Sequence, residues 1–531
     1  MKHPSARHVV VKFVDSVTIA FDHSALIVSG DHVDPKPFHE FWKSLQYHFA
    51  DVHIDRVFRA KSADRIDALV RIARSRNECY RPPKFGNYIS LRLAGGSHKA
   101  ELCKSLLAKS LQSPFVDTAY IRLDDVDAAL QPELDPPRTS DDSEVFDPRS
   151  PLQRYLRPAP EGIGAEELWP LDGADGEGQI FIDIERGWDL GHEDLIGADR
   201  SQHVHFDDTA AGAAMNAGCV NLDTSMAHGT AVVGIVCAQN NDKGMIGLAR
   251  NCHAQAVSYW NKSFNAAAGP DAVMSALTEQ LQTLLKYAQP EMAGLSAGIT
   301  ILIEAQAQLV AHPAYYFPVE VYPDMFHAIE LATNAGATVI EPAGNGLILG
   351  RRGHPLAVDL DSYSNVFVST DPSGSGLPKG NLLNCSDSDN PAFRDSGAIM
   401  VGAAESVFRS DPVIWKHRPY SNYGSRIDCF AAGRDVATTG WWKQARIDTA
   451  PPTPNVQYCA DFNGTSAASA IIAGAAVSVQ GIHRANRGDS LSPEQLRVVL
   501  SDVALGTATS DSAAASIGVM PNLPLIAKQW A

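Results

Sequence analysis

The chain has 531 residues, 45% hydrophobic and 20% charged, the balance of a globular protein too long for one ordinary domain. A formal charge of −17 without any block of Lys and Arg excludes a nucleic-acid backbone binder and leaves neutral or cationic partners. The start, MKHPSARHVVVKF, lacks the apolar run of a signal peptide and no later run approaches bilayer length, so a cytoplasmic protein with no membrane partner is expected. Residues 1–130 alternate β-like runs (RHVVVKFV, VHIDRVFR, NYISLRLA, DTAYIRL) with helix-like ones (PFHEFWKSLQYHF, SADRIDALVRIARSR, SHKAELCKSLLAKSL), which predicts a small α/β sandwich. From 131 to 160 proline and aspartate dominate and apolar periodicity vanishes, as in a linker. From 161 to 531 short apolar strands (GQIFIDI, HAQAVSYW, ITILIEA, ATVIEPA, GAIMVGAA) alternate with helical segments. That pattern predicts a mostly parallel sheet with helices on both faces, its site at the carboxyl ends of the strands. The eight cysteines, Cys79, Cys103, Cys219, Cys237, Cys252, Cys385, Cys429 and Cys459, form no CxxC pair, so free thiols are expected and a zinc site is not.

Three stretches of the larger unit carry residue types suited to nucleophilic catalysis. In FNGTSAASAIIAGAAVSVQ, Ser466 opens a run of small apolar residues, the start of a helix buried on all sides. Taken alone it is an N-capping serine, yet unpaired N–H groups at a helix start also stabilise an oxyanion. His228 in MAHGTAVVGIVCA stands before Gly-Thr, where an imidazole could remain at a helix rim as the base a serine requires, or simply cap the helix. Asn345 in VIEPAGNGLILG lies between glycines after a strand, where its amide could reach a cleft or merely form a turn.

Taken in order, an acid, His228, Asn345 and Ser466 resemble the subtilisin-like serine peptidases, the subtilases. The family's H-G-T-x-V-x-G matches HGTAVVG, its G-T-S-M-A-x-P corresponds to GTSAASA, and its S-A-G-N-x-G to EPAGNGL. SGAIMVGAAES and RPYSNYGSRIDCFAAG likewise resemble the stretch that joins the asparagine to the serine region, and the likeness runs from about Gly162 to the C-terminus. It implies a three-layer subtilisin-like domain in which Ser466 is the nucleophile, His228 the general base and Asn345 an oxyanion donor. The acid is ambiguous, because FIDIERGWDLGHEDL offers both Asp183 and Glu185. In the family the acid lies two residues before a glycine and seven before the histidine of H-P-D-L. Glu185 has that relation to Gly187 and His192, and Asp183 remains the alternative acid. On a strand the two side chains leave the same face about 6–7 Å apart. A glutamate is one methylene longer than the usual aspartate, so the strand end must be drawn back or its rotamer folded.

His192, whose family counterpart lies in a turn, is expected to be neither catalyst nor metal ligand. Ala467 and Ala470 stand where the family has methionine and proline, which removes a packing side chain and a preset backbone angle but no reacting group. Glu304 and Gln306 in ITILIEAQAQ fall near the family's substrate-pairing strand, and Glu304 is expected as a solvated strand-end acid. The resemblance implies a serine endopeptidase that acts on polypeptides through an acyl-enzyme on Ser466, with no cofactor required and structural calcium left open. The odd acid and the two alanines suggest the alternative of an inactive peptide- or partner-binding module. The first unit resembles the family's propeptide, a ferredoxin-like α+β fold with one inserted helix. It would serve as intramolecular inhibitor or chaperone, released by self-cleavage between 131 and 160, or else stay as a permanent partner-binding domain.

Overall fold

The computed structural model describes residues 7–22, 25–30, 34–59, 63–93, 99–124, 126–127, 152–196, 204–206, 223–241, 243–261, 266–267, 269–287, 298–310, 312–347, 356–362, 380–407, 413–440, 457–510 and 516–530. Most of the expected linker, residues 131–151, and Cys219 lie outside them; the other seven cysteines are free.

The first unit runs β1 (Arg7–Phe13), a short hairpin, α1 (Pro35–His48), β2 (Val52–Arg56), α2 (Ala63–Arg76), β3 (Tyr88–Leu93), α3 (Lys99–Ser110) and β4 (Val116–Leu123). Its four strands form an antiparallel sheet ordered β2-β3-β1-β4, which is ferredoxin-like with the hairpin and α2 added. Strand alternation decides what each face meets. Val9, Val11, Ala119 and Ile121 share a core with Phe38, Trp42 and Leu106 of α1 and α3, whereas Val10, Tyr88 and Tyr120 join the core of the larger unit. Helix α1 starts where Asp34 accepts a hydrogen bond from Lys36 N at 3.0 Å and Pro35 presets the first turn.

The larger unit follows with β5 (Val126–Asp127), β6 (Ile180–Glu185), β7 (Val204–Phe206), α4 (Asp223–Cys237), β8 (His253–Ser258) and α5 (Gly269–Tyr287). It continues with β9 (Ile299–Ile303), β10 (Ala305–Leu309), α6 (Pro323–Ala335), β11 (Thr338–Pro342) and β12 (Ile399–Val407). Strands β13 (Ile414–His417) and β14 (Cys429–Ala432) and helices α7 (Gly464–Arg487) and α8 (Pro493–Ser501) complete it. The main sheet is ordered β13-β12-β11-β9-β6-β8-β7, with β14 also on β12, and every pairing but β12 with β13 is parallel. Chain order reverses at β6, which has β8 on one side and β9 on the other. In a parallel sheet the crevice at such a switch point is where sites form.

Helices α4 and α7 cover one face of the sheet, and α5 and α6 the other. Helix α7 is long and apolar enough to cross a membrane, but its apolar window is wholly buried inside the domain, so it is a core helix. Its small residues have a packing reason: a Cβ at Gly474 would stand 2.6 Å from Leu248, and one at Gly481 2.0 Å from Gly173 O. One boundary read from composition needs correction. Tyr155 and Leu156 are buried, and Gln153 exchanges hydrogen bonds with Ile246 O at 2.9 Å and Ile246 N at 3.2 Å. Residues 152–160 are therefore part of the larger unit, not of a linker.

The two units are joined by a desolvated polar contact. Arg122 of β4 pairs with Asp324 at the start of α6, its guanidinium 4.7 Å from the Tyr322 ring, while Tyr322 Oη accepts from Leu123 N at 3.2 Å. Helix α2 packs on α5 and α6. Past β4, β5 lies antiparallel to β10, with Val126 opposite Gln306 and Asp127 opposite Ala305.

Candidate active site

The strand alternation that left Asp183 and Glu185 on one face of β6 brings them to different partners. His228 Nδ1 lies 2.7 Å from Glu185 Oε1, and both side chains are fully buried. Asp183, one strand step further back, accepts from Trp188 Nε1 at 2.7 Å instead. Burial pushes the Asp183 carboxyl up to about 7, against the pull of its Trp188 hydrogen bond and of His228. The acid that meets the imidazole is thus the one nearer the strand end.

His228 sits inside α4, not at its start, because the helix begins at Asp223. Gly229 explains how the helix comes so close: a Cβ there would be 2.3 Å from Gly187 O in the turn after β6. Thr230 ties the same turn down, accepting from Asp189 N at 2.8 Å. The ring of Phe462 meets the His228 ring at 5.3 Å, edge on.

Ser466 lies in the first turn of α7, fully buried. The residue at the N-cap is Asn463, so the capping reading of Ser466 does not hold. Gly464 begins the helix at φ 93°, a left-handed conformation that favours glycine, and its N–H donates to Gly433 O at 3.1 Å. Asn345, in the turn after β11, accepts at Oδ1 from Thr465 N and Thr465 Oγ1, both at 3.0 Å. Because a backbone N–H can only donate, this contact fixes the amide oxygen on Thr465 and turns Nδ2 the other way. Asn345 N donates to Gln306 Oε1 at 3.1 Å, so Gln306 of β10 anchors the turn.

Two side chains differ from their sequence reading or escaped it. Glu304 is not a solvated strand-end acid: it is fully buried, its N donates to Ile184 O at 3.1 Å, and its carboxyl accepts from Ser469 Oγ. Burial raises it well above the usual carboxylate range; His228 opposes that rise, and Glu185 adds to it. Tyr420, whose hydroxyl accepts from Gly464 N at 3.1 Å, was visible only as part of RPYSNYG. His192 is buried in a turn, where Nδ1 accepts from Asp194 N at 3.2 Å. Nε2 therefore carries the proton and donates to Gln457 O at 2.8 Å, the hydrogen bonding of a neutral structural imidazole. Ala467 and Ala470 are both buried within α7.

Among the described residues one trio could hold a metal ion by distance: ligand atoms of Glu185, His228 and Glu304 lie within 4.8 Å of one another. In it His228 Nδ1 and Glu185 already face each other as hydrogen-bond partners.

A buried acid–imidazole pair at the switch point of a parallel sheet, with a serine in the first turn of the helix that covers that face, is a set of residue types that serine hydrolases use. Residues 184–516, well over half of the chain, match the profile of the subtilase family, and the chain belongs to that family of serine proteases, which act on polypeptides. No curated protein sequence matches it. Among solved structures it is similar to fervidolysin from Fervidobacterium pennivorans, a keratinolytic enzyme related to subtilisin, at 14% identity and a TM-score of 0.52. The match covers 99% of this chain and 62% of fervidolysin, so the chain spans less than two thirds of that protein, and the likeness is one of fold. The prenylagaramide maturation protease PagA aligns at 18% identity and a TM-score of 0.41, over 69% of this chain and 98% of its own.

Proposed function

We propose that the protein is a serine endopeptidase working through an acyl-enzyme. Ser466 attacks the peptide carbonyl, His228 takes its proton and returns it to the leaving amine, and Glu185 holds the imidazolium at Nδ1. Asn345 Nδ2 and the N–H groups of the first α7 turn stabilise the oxyanion, an effect of roughly 3 kcal/mol per donor. No cofactor enters this chemistry. The observation that carries the reading is the 2.7 Å contact between the buried His228 and Glu185, next to a helix turn pinned on Asn345.

The first unit fits the role of intramolecular inhibitor. The short strand β5 that follows it pairs with Ala305 and Gln306, directly after Glu304, and Gln306 anchors Asn345, which supports a reading in which this segment takes the place of an extended substrate. The polypeptide between β5 and Leu152 is then the segment to be cut on activation. A fluorophosphonate probe tests the whole reading: it labels the wild type and not Ser466→Ala, and an unlabelled, folded wild type, both before and after removal of the first unit, would favour a partner-binding module.

A further inference from the structure

Outside the acid–imidazole–serine set, two further acids with a buried oxygen that lacks a partner lie among the described residues of the site: Asp183, whose other oxygen is held by Trp188, and Glu304, whose other oxygen reaches the helix of the nucleophile. The Glu304 backbone hangs on β6 through the bond to Ile184 O, one residue before Glu185. From the end of β9 its carboxyl reaches the helix that carries the nucleophile. There Ser469 Oγ donates to Oε1 while lying 2.8 Å from Thr465 O and 3.0 Å from Ser466 O. The same carboxyl stands within 4.8 Å of ring and carboxylate atoms of His228 and Glu185.

We propose that Glu304 is a positioning residue of this centre: through Ser469 it fastens the Ser466 turn of α7 to the carboxyl end of β9, so that nucleophile and imidazole keep their mutual placement. The inference rests on the proteolytic reading above. Its physical basis is the Ser469 link between the end of β9 and the first turn of α7, together with the neutral form that burial favours for Glu304. Glu304 faces His228 from α4, Glu185 and Asp183 from β6, and Ser469 from α7; no cation other than a protonated His228 is among them. A second carboxylate here would meet Glu185 at close range in a buried setting, which favours the neutral acid. As a neutral acid it can accept from Ser469 without drawing His228 away from Glu185. Glutamine has the same shape, the same acceptor and no charge to lose, whereas alanine removes the link.

The test compares Glu304→Gln, Glu304→Ala and Ser469→Ala in the full chain, with peptide turnover across pH and infrared spectra as readouts. Expected at neutral pH is turnover within about threefold of wild type for Glu304→Gln, and a kcat lower by roughly 10–100-fold at little-changed KM for the two alanine variants, the scale of a small misplacement of reacting groups. The infrared difference between wild type and Glu304→Gln at pH 7 should contain the carbonyl band of a protonated carboxylic acid. Alanine variants that fold and keep the wild-type kcat would overturn the proposal, as would a Glu304→Gln variant as impaired as Glu304→Ala. If Glu304→Ala does not fold, Ser469→Ala and Glu304→Gln decide between the same outcomes. The band without any turnover in wild type, both before and after removal of the first unit, overturns the proteolytic reading and supports this placement of Glu304. Turnover without the band overturns the proposal alone.

Discussion

Replacing Glu185 by glutamine separates the two acids of β6 in one experiment. The carboxylate lies 2.7 Å from His228 Nδ1 and is fully buried, so no water can substitute for the lost charge. When His228 takes the serine proton, an imidazolium faces that carboxylate; two unit charges about 4 Å apart at an effective dielectric near 20 attract by about 4 kcal/mol. Losing this, together with the preference for the correct tautomer, corresponds to a fall of roughly 10³–10⁴-fold in kcat. Asp183→Asn should do far less, because the amide oxygen still accepts from Trp188 and the wild-type carboxyl, pushed up to about 7, is already partly protonated at neutral pH. Glu185→Asp is the third arm: it withdraws the oxygens by a methylene, over 1 Å, from an imidazole that α4 holds in place, with an expected loss of about 10²-fold. Turnover is measured on variants whose circular dichroism matches wild type. A folded Asp183→Asn that loses 10³-fold while Glu185→Gln keeps its activity would assign the acid to Asp183 and refute the reasoning.

Other outcomes are expected. Ser466→Ala should lose about 10⁶-fold in kcat while its melting temperature stays near wild type, and turnover retained near the wild-type rate in purified protein would exclude Ser466 as nucleophile. Asp183, at about 7 in the folded chain against 3.8 in its ordinary state, binds more protons folded than unfolded between those values, so its contribution to stability falls as pH rises from about 4 to 7. Asp183→Asn should flatten that part of the melting temperature against pH, and an unchanged curve would show the carboxyl to be ionised throughout. Arg122→Ala leaves Asp324 buried without its partner, a loss on the order of 3–5 kcal/mol, and should raise the initial activity of the full-length chain if the first unit inhibits. Intact mass of active wild type should reveal a cut between 128 and 151; a fully active uncut chain would make the first unit a permanent domain.

His228 and Ser466 were legible as candidates because each sits in a short motif whose own backbone does the placing: Gly229 lets α4 approach the turn after β6, and Gly464 turns the chain into α7. The parallel sheet and a small α/β unit before it were legible from alternating apolar runs, since strand and helix periods are local, whereas the ferredoxin-like fold of that unit was implied only by the family resemblance. Glu304 was not. Its burial follows from β9 returning beside β6 at the switch point, and a strand order is a property of the whole sheet that an isolated ITILIEAQ cannot encode. Residues 152–160 misled for the opposite reason: proline and arginine give the segment a linker composition, yet Tyr155 and Leu156 carry enough apolar surface to hold it in the core.

The three acids around His228 show why the unusual glutamate does not unsettle the centre. Asp183, Glu185 and Glu304 all lie at the ends of neighbouring strands and all are fully buried. Three carboxylates there would impose a repulsion no single imidazole could offset. Their partners divide them. Glu185 has the imidazole itself, a group that gains positive charge in the proposed reaction; Asp183 has an indole N–H and Glu304 a hydroxyl, donors that carry no net charge. Burial accordingly raises both Asp183 and Glu304, by the common logic through which neighbouring acids come to hold different protonation states. The negative charge of the pocket is then best held at the oxygen in contact with Nδ1, while Asp183 is partly protonated at neutral pH. In the proposed reaction, the place of Glu185 near the strand end and its imidazole partner together would let a side chain one methylene longer serve as the acid.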